Sequence, residues 1–161
     1  MTRIAIVSDT HGHVPNTLSA IGRLAELNVA QVIHCGDIGS PSIVPLFESW
    51  PTHFVFGNVD GNEASLRMAI TDAGQSCHGR FGELEVAGRK IAFLHSDDAR
   101  RFSSVIDSQE YDLVCYGHTH SAEHHHEGKT LVLNPGALYR AQPHSLAVVD
   151  LPDLTVESVI V

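Results

Sequence analysis

Five short apolar runs in this chain each break off into a turn that carries Asp, Asn or His. Ile4-Ala5-Ile6-Val7 leads to Asp9 and His11, Gln31–Cys35 to Asp37, Phe54–Phe56 to Asn58, Lys90–Leu94 to His95, and Leu113–Tyr116 to His118 and His120. Short runs rich in β-branched residues and stopped by polar turns read as buried strands. Metal-capable side chains at the end of strand after strand constrain the fold to sheets whose C-terminal edge gathers them. In open α/β sheets that edge is where ligands bind.

The stretches between these strands alternate in kind. Pro15 followed by Leu18, Ile21, Leu24, Ala25 and Leu27 has helical spacing, so residues 3–35 form a βαβ unit. Pro41 opens a second helix to about Trp50, and a third covers about 62–72. Beyond residue 75 the pattern predicts a hairpin over 84–94 with a turn at Gly88, and a helix over 97–108. Strands follow at 113–116, 122–127, 130–133, 145–150 and 154–160. Parallel units followed by antiparallel strands imply an α/β fold: a four-layer α-β-β-α sandwich of two mixed β-sheets flanked by helices. At 161 residues the chain is expected to be one domain, residues 1–161.

Composition narrows the function. Hydrophobic residues at 43% and charged residues at 18% suit a packed core, and aromatics at 6% leave that core to Val, Ile, Leu and Ala. No apolar run approaches the ~18 residues of a membrane helix, and the N-terminus lacks a signal-peptide apolar region. The expected setting is therefore cytoplasmic, without a membrane partner. Ten Lys and Arg against 19 Asp and Glu give a net charge of −9, which disfavours long nucleic acid. Cys35, Cys77 and Cys115 are widely spaced and form no CxxC pair, so neither a disulfide framework nor a zinc ribbon is expected. Oligomeric state is open, a homo-oligomer included.

Singly, each strand-end group reads as well as a helix cap or an ordinary turn; the combination is what carries information. Ser8-Asp9-Thr10-His11, Gly36-Asp37, Gly57-Asn58-Val59-Asp60, His95, Tyr116-Gly117-His118-Thr119-His120 and Asn134-Pro135-Gly136 occur in that order. This series resembles the calcineurin-like metallophosphoesterases, and among them the small bacterial and archaeal phosphodiesterases. The resemblance implies a two-metal site: Asp9, His11 and His120 on one ion, Asn58, His95 and His118 on the other, and Asp37 bridging. Asp37, Asn58 and His95 would then be the catalytic core.

Imidazole and carboxylate donors together suit Mn²⁺, Ni²⁺, Fe²⁺, Zn²⁺ or Co²⁺ over Ca²⁺; among these Mn²⁺ is the expected ion, a choice the donor set itself does not make. Two such ions about 3.5–4 Å apart can share a water and lower its pKa toward neutrality. Two divalent ions outweigh Asp9, Asp37 and one hydroxide, which leaves a locally positive pocket for a small phosphate ester attacked in line. A phosphodiester is the expected substrate. A phosphomonoesterase or nucleotidase on the same centre, and a non-catalytic protein-binding scaffold of the same fold, are the alternatives.

Two positions depart from the wider family. Val59 stands where relatives often carry a histidine thought to protonate the leaving group, which fits the diesterase subgroup. His95-Ser96-Asp97 replaces His-Gly-His, so Asp97 takes the place of an imidazole that contacts phosphate. His13, Asp97 and Arg140 are the expected substrate contacts. His34 reads as packed or supporting, and His124-His125-His126 as a solvated strand face.

Overall fold

A computed structural model describes residues 1–161, and each of the expected strands is present. The first sheet has the order β11-β10-β1-β2-β3-β4, and the second β5-β6-β7-β9-β8. The first contains β1 (Thr2–Val7), β2 (Gln31–His34), β3 (Thr52–Phe54), β4 (Ser76–Cys77), β10 (Ser145–Leu151) and β11 (Thr155–Ile160). The second contains β5 (Phe81–Val86), β6 (Arg89–Leu94), β7 (Leu113–Tyr116), β8 (Glu123–Glu127) and β9 (Thr130–Asn134). β1 to β4 run parallel, as do β6, β7 and β9; β10, β11, β5 and β8 are antiparallel to their neighbours.

The strand period of two sorts side chains into layers. On β1, Ala5 and Val7 face outward with Leu24, Phe47 and Ile70, against helices α1 (Val14–Glu26) and α2 (Glu63–Asp72) and a 3₁₀ helix over Pro41–Phe47. Ile4 and Ile6 face inward and meet Ile91, Phe93, Leu113 and Leu133 of the second sheet. The outer face of that sheet, with Ala92, Val114 and Val132, packs on Ile106 of α3 (Ala99–Asp107). The four layers are thus helix, sheet, sheet, helix. Ile4 and Ile6 are fully buried, so truncating either to Ala should cost about 2–5 kcal/mol.

Three local details differ from the sequence reading, and a fourth was left open by it. The segment opened by Pro41 is 3₁₀, because Pro45 has no N–H to donate and its ring crowds the carbonyl four residues earlier. β3 lies at Thr52–Phe54, two residues before the expected run. Val55 and Phe56 are buried, but the β2 ladder ends at Phe54, and the Phe56 N–H turns to the Gly79 carbonyl. The two-residue β4 carries no periodic signal. β10 and β11 return to the first sheet, where β10 pairs antiparallel with β1, as in Ile4 opposite Val149. No helix is long and apolar enough to cross a membrane.

Candidate metal centre

The parallel strands β1, β2, β6 and β7 all deliver their following turns to one edge, and the chain makes sharp left-handed bends there. Asp9, His11, Asp37, His118 and His120 have φ of 56°, 46°, 54°, 81° and 60°. For non-glycine residues this region costs energy and persists only where the surroundings impose it. Backbone bonds impose it here: Asp9 N–H donates to Gly36 O, His11 N–H to Asp37 O and Gly12 N–H to Ile38 O, at 3.0, 3.0 and 2.8 Å.

These bends aim two groups of donors at each other. Asp9, His11 and His120 form one triad and Asp37, His95 and His118 the other, each with its donor atoms within 4.8 Å of one another. Asp37 Oδ2 sits between them, 3.3 Å from His11 Nε2 and 3.0 Å from His95 Nε2. Asp9 Oδ1 lies 3.2 Å from His120 Nε2 and 3.5 Å from His11 Nε2. Asn58 is exposed on the β3 turn, next to the Val59 N–H that donates to Asp37 Oδ1 at 3.0 Å. Six of the seven expected ligands are therefore gathered in the two triads, and Asn58 is tied to the second only through its chain neighbour Val59.

The surrounding bonds leave the inward atoms free. Asp9 spends Oδ2 on the Ser8 hydroxyl at 2.6 Å and the His118 N–H at 3.1 Å, which leaves Oδ1 facing the histidines. His95 Nδ1 lies 2.9 Å from the Cys35 carbonyl and His120 Nδ1 lies 3.2 Å from the Arg140 carbonyl. A carbonyl only accepts, so both rings carry a proton on Nδ1 and, when neutral, turn an Nε2 lone pair inward. Asp9 Oδ1, His11 Nε2 and His95 Nε2 are buried without a hydrogen-bond partner. Buried polar atoms left unpaired are costly, and oxygen and nitrogen atoms converging in this way fit divalent transition metals.

The electrostatics agree. Burial alone would raise the Asp37 pKa, but contact with His95, the Val59 N–H and the charges of His95 and His11 bring it below the ordinary carboxylate value. Burial opposes charge on His95 as well, yet Asp37 and Asp9 raise its pKa. In the metal-free protein a proton on the imidazole partly neutralises the two carboxylates, and a cation would displace it.

Close packing fixes the turns. A Cβ at Gly57 would fall onto Asp37 Oδ1 and lie 2.7 Å from His95 Cδ2, and one at Gly117 would strike Ser8 Oγ and Asp9 Oδ2. Only glycine fits either place.

The expected substrate contacts have other partners. His13 caps α1, its Nδ1 accepting from Asn16 N–H, and its ring lies 5.5 Å from that of Tyr139. The Arg140 guanidinium lies over Tyr139, while its carbonyl holds His120. Asp97 is turned toward Arg80, 3.8 Å away, and Arg80 also pairs with Glu63 at 2.7 Å.

Sequence reasoning passed over Asp60. Its carboxylate, 2% exposed, accepts Gly57 N–H and Ile38 N–H on Oδ2 and Gly39 N–H on Oδ1, tying the Asp37 turn to the Asn58 turn. An Asp three residues after a Gly at a strand end was the available signal.

A profile of the calcineurin-like phosphoesterase superfamily domain matches residues 2–153. The chain belongs to that superfamily. It is accordingly a hydrolase of phosphate esters. The chain is 34% identical over 137 residues to the protein named phosphodiesterase MJ0936 of Methanocaldococcus jannaschii, covering 83% of this chain and 82% of that one. The structure of an archaeal phosphodiesterase superposes with a TM-score of 0.91 at 30% identity, over 99% of this chain and 100% of that one. A predicted phosphoesterase from Streptococcus pneumoniae gives a TM-score of 0.75 at 24% identity, over 99% and 89%.

Proposed function

We propose that this superfamily member is a dinuclear, Mn²⁺-dependent phosphodiesterase acting on a small phosphodiester. The observation that supports it most is the carboxylate of Asp37 set between two donor triads, with unpaired buried atoms facing the space between. Asp9, His11 and His120 would hold one ion, Asn58, His95 and His118 the other, and Asp37 both. When bound, such a pair supplies Lewis acidity toward phosphoryl oxygens and lowers the pKa of water.

The chain's own residues then set the specificity. Val59 offers a backbone N–H to Asp37, while its exposed isopropyl group has no proton for a leaving group. That favours diesters with good leaving groups over unactivated monoesters. Asp97 is turned toward Arg80, which it shares with Glu63, so its charge is offset only in part. His13, with Nδ1 engaged as acceptor, keeps an Nε2–H donor for the rim, and Arg140 adds an exposed cation held over Tyr139. The relatives named for phosphodiesterase activity support the same choice. Three unpaired cysteines accord with a cytoplasmic setting, and the charge of −9 with a small substrate over long nucleic acid.

Asp37→Ala should abolish the binding of both ions and all turnover, whereas His95→Ala should weaken mainly the second ion. Full activity in Asp37→Ala would end the proposal. A diester and a monoester with the same aryl leaving group, compared at equal Mn²⁺, should favour the diester. The opposite preference would make the protein a phosphomonoesterase.

A further inference from the structure

His34 is fully buried three residues before Asp37, and the Phe54 ring stacks on it at 5.5 Å while Phe47 meets it edge-on at 6.0 Å. Its two nitrogens are both used. Nδ1 accepts from the Gly36 N–H at 3.2 Å, and Nε2 lies 3.0 Å from Thr10 Oγ1. The Thr10 hydroxyl donates its one proton to the Ile38 carbonyl at 2.9 Å. Because a backbone N–H can only donate, Nδ1 carries no proton, and Nε2–H must donate to the Thr10 oxygen.

The bonds therefore run in one direction, from Gly36 N–H through His34 and Thr10 to the Ile38 carbonyl. They begin and end on the two residues flanking Asp37, whose φ is +54°, and they pass through the residue between Asp9 and His11. The circuit joins the two turns that supply Asp9, His11 and Asp37.

We propose that His34 and Thr10 are positioning residues that hold the strained Asp37 turn at a fixed offset from the Asp9–His11 turn, and so set the placement of the shared carboxylate between the two ions. This rests on the dinuclear reading above. Burial pushes the His34 pKa down to about 3, in keeping with a neutral ring that has one fixed tautomer.

The test is a double-mutant cycle read by calorimetric titration of Mn²⁺ into the metal-free protein, well below its unfolding temperature. Thr10→Val removes the hydroxyl, and His34→Asn keeps an acceptor for Gly36 N–H but cannot reach Thr10. Each should weaken Mn²⁺ binding by about 10–100-fold. The double variant should be no weaker than the weaker single variant within about threefold, because both cut the same circuit. Thr10→Ser should restore binding. Leu24→Ala, in the outer core, should lower Tm while leaving Mn²⁺ affinity unchanged.

Single variants with wild-type affinity, or losses that multiply fully in the double variant, would overturn the proposal. Should the variants not fold, ¹⁵N NMR of the wild-type protein decides. His34 must show the Nε2–H tautomer alone from pH 8 to pH 5, and an Nδ1–H or exchanging ring overturns the circuit. Mn²⁺-loaded wild-type protein inert toward all diesters would sink the proposed activity, while the affinities and the tautomer would still judge this inference separately.

Discussion

Replacing Asp60 by Asn changes one atom and tests whether a buried carboxylate organises the centre from behind. The native side chain accepts three backbone N–H groups, at 2.8 and 3.1 Å on Oδ2 and 2.9 Å on Oδ1. A carboxamide oxygen placed at Oδ2 keeps the bonds from Gly57 and Ile38, but the new NH₂ then faces the Gly39 N–H, donor against donor. An orphaned buried donor costs about 1–3 kcal/mol, and two bonds lose their charge assistance at about 1 kcal/mol each. Burial raises the Asp60 pKa above its ordinary value, so relief of that desolvation returns part of the loss.

The net cost is about 3 kcal/mol, which for a chain of this length lowers Tm by roughly 6–12 °C. Because the lost bonds tie the Asp37 turn to the Asn58 turn, Mn²⁺ affinity should fall by about 10–100-fold as well. Thermal unfolding by circular dichroism and calorimetric Mn²⁺ titration check both. An Asp60→Asn protein within about 2 °C of wild type, with unchanged Mn²⁺ affinity, would refute the reasoning.

Gly57→Ala should displace Asp37, since the new methyl meets that carboxylate and His95 at a backbone that cannot retreat; a misplacement near 1 Å costs about 100-fold in turnover, and wild-type activity and metal content in this variant would contradict the packing. Acid should also destabilise the metal-free protein. The buried neutral His34 has a pKa of about 3 against 6.5 when unfolded, so below about pH 6.5 only the unfolded chain takes up this proton. Stability then falls through the interval from pH 6.5 toward 3, by up to about 5 kcal/mol from this group. Asp37 adds a loss at lower pH, as its depressed native pKa gives stability that vanishes on protonation. Urea midpoints at pH 7 and pH 5 measure the effect, and equal midpoints would count against a neutral buried His34.

The layers were legible because burial on both faces of the central strands leaves continuous apolar runs: Ile4–Val7 and Leu113–Tyr116 are strands because nothing polar interrupts them. Periodicity identifies a strand but not its neighbour, so the return of β10 to pair with β1 could not be read from Leu146–Val149. The two-residue β4 is too short to show a period. At the centre, residue type and strand-end position were enough to find Asp9, His11, Asp37, His95, His118 and His120 as a cluster. The left-handed backbone at five of those six was not legible, because single residues with Cβ atoms rarely adopt it and the bonds that enforce it come from turns distant in sequence. The same reason hid Asp60 and the pairing of Asp97 with Arg80, whereas Asp98 caps α3 locally by accepting Arg101 N–H at 3.0 Å.

That enforced geometry has a thermodynamic consequence of its own. Asp9 and Asp37 are 0% and 2% exposed, and an unpaired oxygen of Asp9 faces unpaired nitrogens of His11 and His95. The metal-free fold therefore carries desolvated metal-binding atoms that a proton on His95 satisfies only in part and a cation satisfies in full, whereas the unfolded chain leaves the same groups in water. Binding to the folded state alone stabilises it by about 2.7 kcal/mol for each site at a free concentration about 100 times its Kd. Two ions thus contribute about 5.4 kcal/mol, or a rise in Tm of roughly 11–22 °C for a chain of this size. The rise should come in two stages as Mn²⁺ is titrated, and His95→Ala should keep the first and lose the second. A single stage that His95→Ala leaves intact would mean that one triad alone takes the metal, and Asp37 would then have no second ion to share.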